Sequence, residues 1–342
     1  CPVNDVKEHG DINRDVSQIK TYLAETPPNY VKAKEVYTNG MYSLKGTSNR
    51  TLQGLAQSDM TSSGKYANAF YSGALDLYGS TNAVWEDIMI ACFGGSGTCS
   101  GKSDTFRKTI INKGCIGIVT AYTTYEMGGA VWKGADGQTS DVGAPYAWDE
   151  AAAFYIGNIE PAVGDGYTGS APGNLYSPYE FNWKRDKDFP GGTAIHTAAI
   201  PIMNYGLINL RGSDYNAANV QSAQTAMYKI FSIAAIRAAI KYSWKALGDG
   251  TFNEEYLAEG WAYWRLASGY ISTVNKATVR EIDALLDWSL TSIPATTPCE
   301  IKTKVESMYK ALGISCAMVG VWSDAPAGSC LASPCSDTGN TN

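Results

Sequence analysis

The stretch VQSAQTAMYKIFSIAAIRAAIKYSWKAL, from Val220 to Leu247, decides the fold class of this 342-residue chain. Its apolar residues recur every three or four positions, which places them on one broad stripe of a helix. Gly248 follows directly, and glycine is the residue that most often ends a helix. The stretch therefore predicts one long, largely buried helix.

The same helical period recurs along most of the chain. Further candidate helices cover about 15–23, 30–42, 84–92, 106–131, 148–156, 254–270 and 300–312, and another begins near Thr278. Glu281 stands three residues after Thr278, which is the spacing of a capping box. The sustained alternation that is typical of strands is scarce. We therefore predict an all-α, helical bundle-like fold with long Gly-rich loops, the longest over about 161–192.

A weak internal repeat indicates how the helices are organised. WDEAAAFYIG at 148–157 is similar to AEGWAYWR at 258–265, and the alignment places Glu150 opposite Glu259. A long candidate helix precedes each copy. We expect one helical unit over 1–322, made of two similar halves at about 10–160 and 193–322, and a polar C-terminal tail over 323–342.

The eight cysteines indicate the compartment. They include no C-x-x-C pair and are even in number, which favours disulfides over a zinc or redox site. The first residue is Cys1 and no apolar run reaches 18 residues, so we expect a secreted protein that has lost a signal peptide and has no membrane span. Asn49, Arg50 and Thr51 form a glycosylation sequon. Short loops favour the local pairs Cys92–Cys99, Cys299–Cys316 and Cys330–Cys335.

Charge and histidine content exclude several function classes. The chain has 27 Lys and Arg against 33 Asp and Glu, and this net charge of −6 argues against nucleic acid as a partner. It has only two histidines, His9 and His196, which rules out sites built on several imidazoles. Any metal here must be held mainly by oxygen atoms.

Several carboxylates stand inside otherwise apolar helical stretches. Asp149 and Glu150 precede a run of alanines and aromatics, Glu259 precedes Gly260 and Trp261, and Glu126 precedes Met127 and two glycines. A buried carboxylate is costly unless it is paired or coordinated. Two explanations remain open: salt bridges with Arg or Lys, and a shared metal ion held by Glu126, Asp149, Glu150 and Glu259.

The ligand types restrict the metal that such a site would take. Carboxylate and phenol oxygens suit Ca²⁺, Mn²⁺ or ferric iron better than Zn²⁺ or Cu⁺. The Glu-x-x-His pair of di-iron oxidases is not present in the sequence. We therefore expect metal binding without redox catalysis, and an affinity that falls as the pH drops through about 4 to 5, where free carboxylates take up protons.

Four blocks of sequence resemble one known family. MYSLKGTSNRTLQGLA at 41–56, WDEAAAFYIG at 148–157, AEG at 258–260 and VESMYKALGISCAMVG at 305–320 are similar to the algal low-iron-inducible periplasmic or iron-assimilating proteins, which have relatives in diatoms. The resemblance runs in order over about residues 10–322. It implies a secreted, iron-responsive protein that binds iron in the cell wall space, and it is also associated with growth at high CO₂. The family's acidic helix residues correspond to Glu150, Glu259 and Glu126, although Tyr125 replaces the arginine of an Arg-Glu pattern.

We therefore expect a secreted, non-catalytic protein that binds iron, Fe³⁺ in preference to Fe²⁺, and concentrates it in the periplasm for uptake. The implied partners are the metal ion and a membrane iron transporter or reductase system. Two alternatives stay open at this stage. One is an extracellular hydrolase that uses Asp149 with Glu150 or Glu259 as acid and base. The other is a structural cell-wall protein without metal.

Overall fold

The computed structural model describes residues 4–60, 68–159, 175–248, 251–333 and 335, and this part of the chain is all-α. The helices are α1 Lys7–Gly10, α2 Ile12–Ala24, α3 Tyr30–Asn39, α4 Leu52–Ala56, α5 Ala69–Tyr78, α6 Thr81–Val84, α7 Glu86–Gly94, α8 Asp104–Ala135, α9 Ala144–Ile156, α10 Pro178–Asp188, α11 Ile195–Ile208, α12 Ala217–Leu247, α13 Glu254–Leu285, α14 Thr297–Glu306, α15 Tyr309–Leu312 and α16 Cys316–Val319. Two short strands, β1 Leu44–Lys45 and β2 Ser48–Asn49, form an antiparallel hairpin.

Three helices of 31 or 32 residues form the centre of the fold. The prediction for Val220–Leu247 is confirmed as part of α12, which Asn216 caps at its start and Gly248, at φ +57°, ends. α13 packs against α12, α8 and α5, while α9 packs along α8. α5 and α13 approach so closely at Gly73 that a Cβ there would lie 2.1 Å from the carbonyl oxygen of Gly269. Glycine at this crossing lets the two backbones come into contact.

The helix predicted to begin near Thr278 is the second part of α13. Asn275 has non-helical dihedrals and interrupts the helix, and its side-chain oxygen accepts a hydrogen bond from the amide of Thr278. The cap is therefore Asn275, whereas the capping-box spacing had predicted Thr278. Asparagine takes this role readily because its short side chain reaches the free amides of a helix start.

The sequence patterns missed three helices of ten or more residues, α5, α10 and α11, and several shorter ones. Part of the predicted 161–192 loop is α10, which starts with Ser177 as its cap and Pro178 in its first turn. α11 contains Pro201 in its interior, a residue that usually interrupts a helix. The rest of the predicted loop between 160 and 174 lies outside the described residues, and the two-half arrangement stays a prediction.

Three disulfides are present in the described residues. Cys92–Cys99 is confirmed, but the other two predicted pairs are wrong: the bonds are Cys299–Cys330 and Cys316–Cys335. Cys330 and Cys335 are bonded to cysteines of α14 and α16, so spatial neighbourhood outweighs loop length. Cys115, within α8, is buried and free, while Cys1 lies outside the described residues. No helix in the described ranges is both long enough and apolar enough to span a membrane.

Candidate functional site

The four predicted metal ligands occupy three separate places in the structure. Glu126 on α8 and Glu150 on α9 lie together, because these two long helices pack side by side. Asp149 faces a different cavity, and Glu259 on α13 forms an ion pair with a lysine. The structure therefore brings together two of the four residues.

The Glu126 and Glu150 carboxyl groups contact each other directly. Burial, the negative charge of Glu150 and a hydrogen bond with Glu150 raise the pKa of Glu126 to about 8. Two adjacent carboxylates repel each other when both are ionised, so one proton stays on the pair near neutral pH. The pair is therefore an acidic site that holds one negative charge and one exchangeable proton.

His9 on α1 completes this cluster. Its Nε2 lies 2.7 Å from Glu150 Oε1, and the two side chains are only 12% and 15% exposed. Its Nδ1 is buried and makes no hydrogen bond. Edge-on contacts with Tyr146 and Phe154 fix the plane of the ring. An imidazole thus stands against the carboxyl pair with one ring nitrogen unused.

The cluster opens into a cavity of about 410 Å³ between α8, α9 and the segment that follows α3. The residues that give it its chemistry are His9, Lys45, Arg50, Tyr122, Tyr125, Glu126, Lys133 and Glu150. Tyr122 stands one helical turn before Glu126, and burial together with the charge of Glu126 raises the pKa of its phenol. Carboxylate, imidazole and phenol groups therefore line one space.

Arg50 enters this cavity from the β1–β2 hairpin. Gly40, at φ +65°, ends α3 and touches the backbone of Arg50, where a Cβ would lie 2.5 Å from the Arg50 carbonyl oxygen. The guanidinium is held through Nη1, which donates to the carbonyl oxygens of Glu8 and Leu44 and to Ser43 Oγ at 2.6–3.2 Å. Arg50 as a whole is 8% exposed. The chain reversal after α3 therefore places a fixed, buried cation beside the carboxyl pair.

Asp149 points away from its neighbour Glu150. Successive residues of an α-helix are turned by about 100°, so adjacent acids face different surroundings. Asp149 Oδ2 accepts hydrogen bonds from the backbone amide and side-chain amide of Asn4, at 3.0 and 3.3 Å. It lines a second cavity of about 460 Å³ with Trp148 and Met203, whose lining is mainly apolar. That Asp149 binds metal stays a prediction.

Glu259 belongs to a third place. Its Oε1 lies 2.8 Å from Nζ of Lys113, which also lies over the ring of Tyr263. Lys113 and Glu126 stand 13 residues apart on α8, about 20 Å along the helix axis. The predicted meeting of Glu150 and Glu259 in one shell does not occur, because a lysine neutralises Glu259 elsewhere. A metal-binding role for Glu259 itself stays a prediction.

Within the described ranges, no three or more His, Cys, Asp and Glu side chains are grouped in a way that could hold a metal ion. In the cavity, His9 Nε2 lies 2.7 Å from Glu150 Oε1, and Glu150 forms a hydrogen bond with Glu126.

Sequence reasoning singled out Glu126 and Glu150 but missed His9, Tyr122 and Arg50 as members of the same site. Tyr122 carries a signal, since it lies four residues before Glu126 on one helix face. His9 and Arg50 carry none, because each comes from a segment more than seventy positions away from Glu126 in the chain.

Comparison with known proteins identifies the family. The model of the family described as "Low iron-inducible periplasmic protein" (Fea1) matches residues 2–340, nearly the whole chain. No curated protein and no solved structure matches.

Proposed function

Because this chain belongs to the low iron-inducible periplasmic protein family, we propose that it is a non-catalytic protein that binds iron in the periplasm or cell wall space and concentrates it for uptake. Iron is the cargo, and the cavity between α8 and α9 receives it. Glu126 and Glu150 supply the first ligands.

The contact between Glu126 and Glu150 is the observation that carries this proposal. Two carboxyl groups placed against each other in a half-buried cavity weaken folding unless a proton or a cation lies between them. A metal ion replaces the proton and binds both oxygens. The raised pKa of Glu126 supports this exchange, since it marks the proton that iron must displace.

The donor types favour iron over softer metals. Two carboxylates, one imidazole and the nearby Tyr122 phenol form a mainly oxygen set, which suits ferric iron and suits Zn²⁺ or Cu⁺ less well. His9 contributes through the nitrogen that now contacts Glu150, or positions that carboxylate for the metal. We propose Fe³⁺ as the preferred state on these grounds.

The pH range in which iron binds follows from the pKa of Glu126. Free carboxylates alone predict that affinity falls only below about pH 5, whereas Glu126 keeps its proton up to a pKa of about 8. Protons therefore compete with iron throughout the range from about 5 to 8. Affinity is expected to rise with pH across that range.

The positions of the acids argue against the hydrolase alternative, which uses Asp149 with Glu150 or Glu259. Glycosidases direct their two carboxyl groups at one shared cleft. Asp149 and Glu150 line different cavities, and Glu259 forms an ion pair with Lys113. The structural alternative, in which acids pair with lysine, describes Glu259 and Lys113 well but not the Glu126–Glu150 pair.

Iron titration of four proteins tests the proposal: the wild type, Glu126→Gln, Glu150→Gln and the control Glu259→Gln. Glutamine keeps the volume and removes a charge, so each cavity variant should bind iron at least tenfold more weakly, roughly 1.4 kcal/mol. The control should bind like the wild type. Equal affinities in all four proteins would overturn the site assignment, and absence of iron binding in the wild type would overturn the function.

A further inference from the structure

The glycosylation sequon of Asn49, Arg50 and Thr51 lies at the end of the β1–β2 hairpin, and the 342 residues contain no second sequon. Such a sequon receives an N-linked glycan when the chain is secreted and when the sugar can lie on the protein surface. The family is described as periplasmic, and the disulfides indicate an oxidising compartment. The compartment therefore fits the modification.

The surroundings of Asn49 also fit it. All residues of the hairpin from 44 to 49 are exposed, and a Cβ added to Gly46 at its turn would meet nothing within 4 Å. Nδ2 of Asn49 donates a hydrogen bond to the carbonyl oxygen of Asn39 at 3.0 Å. This nitrogen carries two hydrogens, and a glycan replaces only one of them. The folded hairpin therefore has both the space and the spare N–H that a glycan at Asn49 requires.

The residue opposite Asn49 gives a second reason to expect a covering group. Leu44 pairs directly with Asn49 across the hairpin, and opposite residues of an antiparallel pair project from the same face. Leu44 is 37% exposed, and Met41, just before the hairpin, is 46% exposed. A glycan on Asn49 begins beside these side chains, and removing their apolar surface from water is favourable.

Asn49 belongs to the wall of the iron cavity as well. It lines the space of about 410 Å³ together with Arg50, Glu126 and Glu150. Asn49 is exposed, whereas its neighbour Arg50 is buried and the two acids are half-buried. Asn49 therefore forms part of the outer rim, and a substituent on its Nδ2 extends from the mouth of the cavity.

Resting on the proposed function, we propose that Asn49 carries an N-linked glycan that screens the mouth of the iron cavity. The glycan supplies no ligand to the metal. An iron ion needs little space and passes beside the sugars, whereas a bulky chelator or another macromolecule is kept away from the carboxyl pair. Iron in the cavity is thereby protected from competing ligands outside the protein.

The first test is the mass of the chain secreted by algal cells. The wild type and Thr51→Ser should both carry a glycan on Asn49, because serine also completes the sequon and also caps a helix as Thr51 caps α4. Asn49→Gln should lack it. Mass spectrometry of the intact proteins and of their peptides measures the glycan. An unmodified Asn49 in the wild type would overturn the proposal.

The second test compares how fast chelators of different size remove iron. Proteins loaded with FeCl₂ under argon are mixed with bipyridine, which is small, or with bathophenanthroline disulfonate, which is bulky, and the coloured ferrous complexes are followed. The ratio of the small-chelator rate to the bulky-chelator rate should be severalfold larger in the wild type and Thr51→Ser than in Asn49→Gln. Using this ratio removes any general change in iron affinity, and circular dichroism verifies that the variants are folded.

The outcomes separate this inference from the function on which it rests. Equal ratios in the wild type and Asn49→Gln, with the glycan present on the wild type, would overturn the screening role and leave the iron site standing. Absence of iron binding in every protein would overturn the proposed function and the screening role together, while the masses would still decide whether Asn49 is modified.

Discussion

Two residue pairs, each with one member on α8, show how similar sequence contexts lead to different structures. Glu259 and Glu150 stand in similar sequence contexts and align in the internal repeat. Glu259 meets Lys113 of α8 at 2.8 Å and is neutralised by it, whereas Glu150 meets Glu126 of α8, an acid of the same charge. The first pair needs no ligand to balance its charges, whereas the second places two acids side by side, which a proton or, as we propose, a cation compensates. The partner on α8, and not the glutamate itself, decides which acid is available for binding.

Replacing Glu126 by lysine should have the largest effect, because it turns the second pair into a copy of the first. Glu150 would then be neutralised by an ammonium group, and the cavity would lose a ligand and gain a positive charge. We expect iron affinity to fall at least a hundredfold, about 2.7 kcal/mol, in calorimetric titration. Iron binding that survives in Glu126→Lys would show that the pair is not the site.

The two pairs should respond in opposite directions when one charge is removed. Glu259→Gln leaves the Lys113 ammonium without its ion pair and should lower the free energy of unfolding by about 2 kcal/mol. Glu126→Gln removes repulsion and should leave that free energy unchanged or raise it. Urea unfolding of the iron-free proteins measures both changes. A loss of stability in Glu126→Gln as large as in Glu259→Gln would remove the difference between the pairs.

The pH dependence of stability should carry the signature of the acid pair. The pKa of Glu126 is about 8 in the folded protein against 4.5 as its ordinary value, so between these values the folded state binds more protons than the unfolded chain. The free energy of unfolding therefore falls as the pH rises through this range. Burial raises the pKa of Asp15 to about 7 and of Asp283 to about 6, which adds a decline at lower pH.

Glu126→Gln should remove the contribution of Glu126 to this decline, which extends up to about pH 8, and keep the contributions of Asp15 and Asp283 at lower pH. The expected difference in melting temperature at pH 8 is several degrees. Melting curves of both iron-free proteins from pH 5 to 8 measure it. Parallel curves for the two proteins would contradict a raised pKa at Glu126.

Replacing His9 should have the smallest effect on iron affinity, and it tests how far His9 takes part in the site. His9→Asn removes the group that contacts Glu150 Oε1 and leaves both carboxyl groups in place. We expect iron affinity to fall severalfold, which is less than in Glu150→Gln. The ion pair between Lys113 and Glu259 should be unaffected. A loss as large as that of Glu150→Gln would make His9 a principal ligand.

Helical periodicity was sufficient to predict the all-α class and the long helices α8 and α12. It failed for α11, where Pro201 lies inside the helix, and for part of α10, which lies in a stretch read as loop. Local spacing also failed for the disulfides, because Cys330 and Cys335 pair with cysteines 31 and 19 positions away. Patterns within a few residues of one another were readable, and contacts between distant segments were not.

The same division holds for the candidate site. An acid within an apolar helix indicates that something must compensate its charge, and two of the four acids chosen in this way, Glu126 and Glu150, lie side by side in one cavity. That they bind metal stays a prediction. Whether the compensating group is Lys113, a proton or a cation depends on which helix packs opposite. Arg50 and His9 reach the cavity from a hairpin and from a one-turn helix, and no period in the sequence connects them to it.

The most direct test of the acid pair as the iron site is the number of protons released when iron binds at pH 7. FeCl₂ under argon is the suitable probe, because ferric iron releases protons through its own hydrolysis. The wild type should release close to one proton per iron bound from the Glu126–Glu150 pair, and Glu126→Gln should bind more weakly and release none from it. Equal proton release by both proteins, or iron binding by the wild type without proton release, would contradict the account.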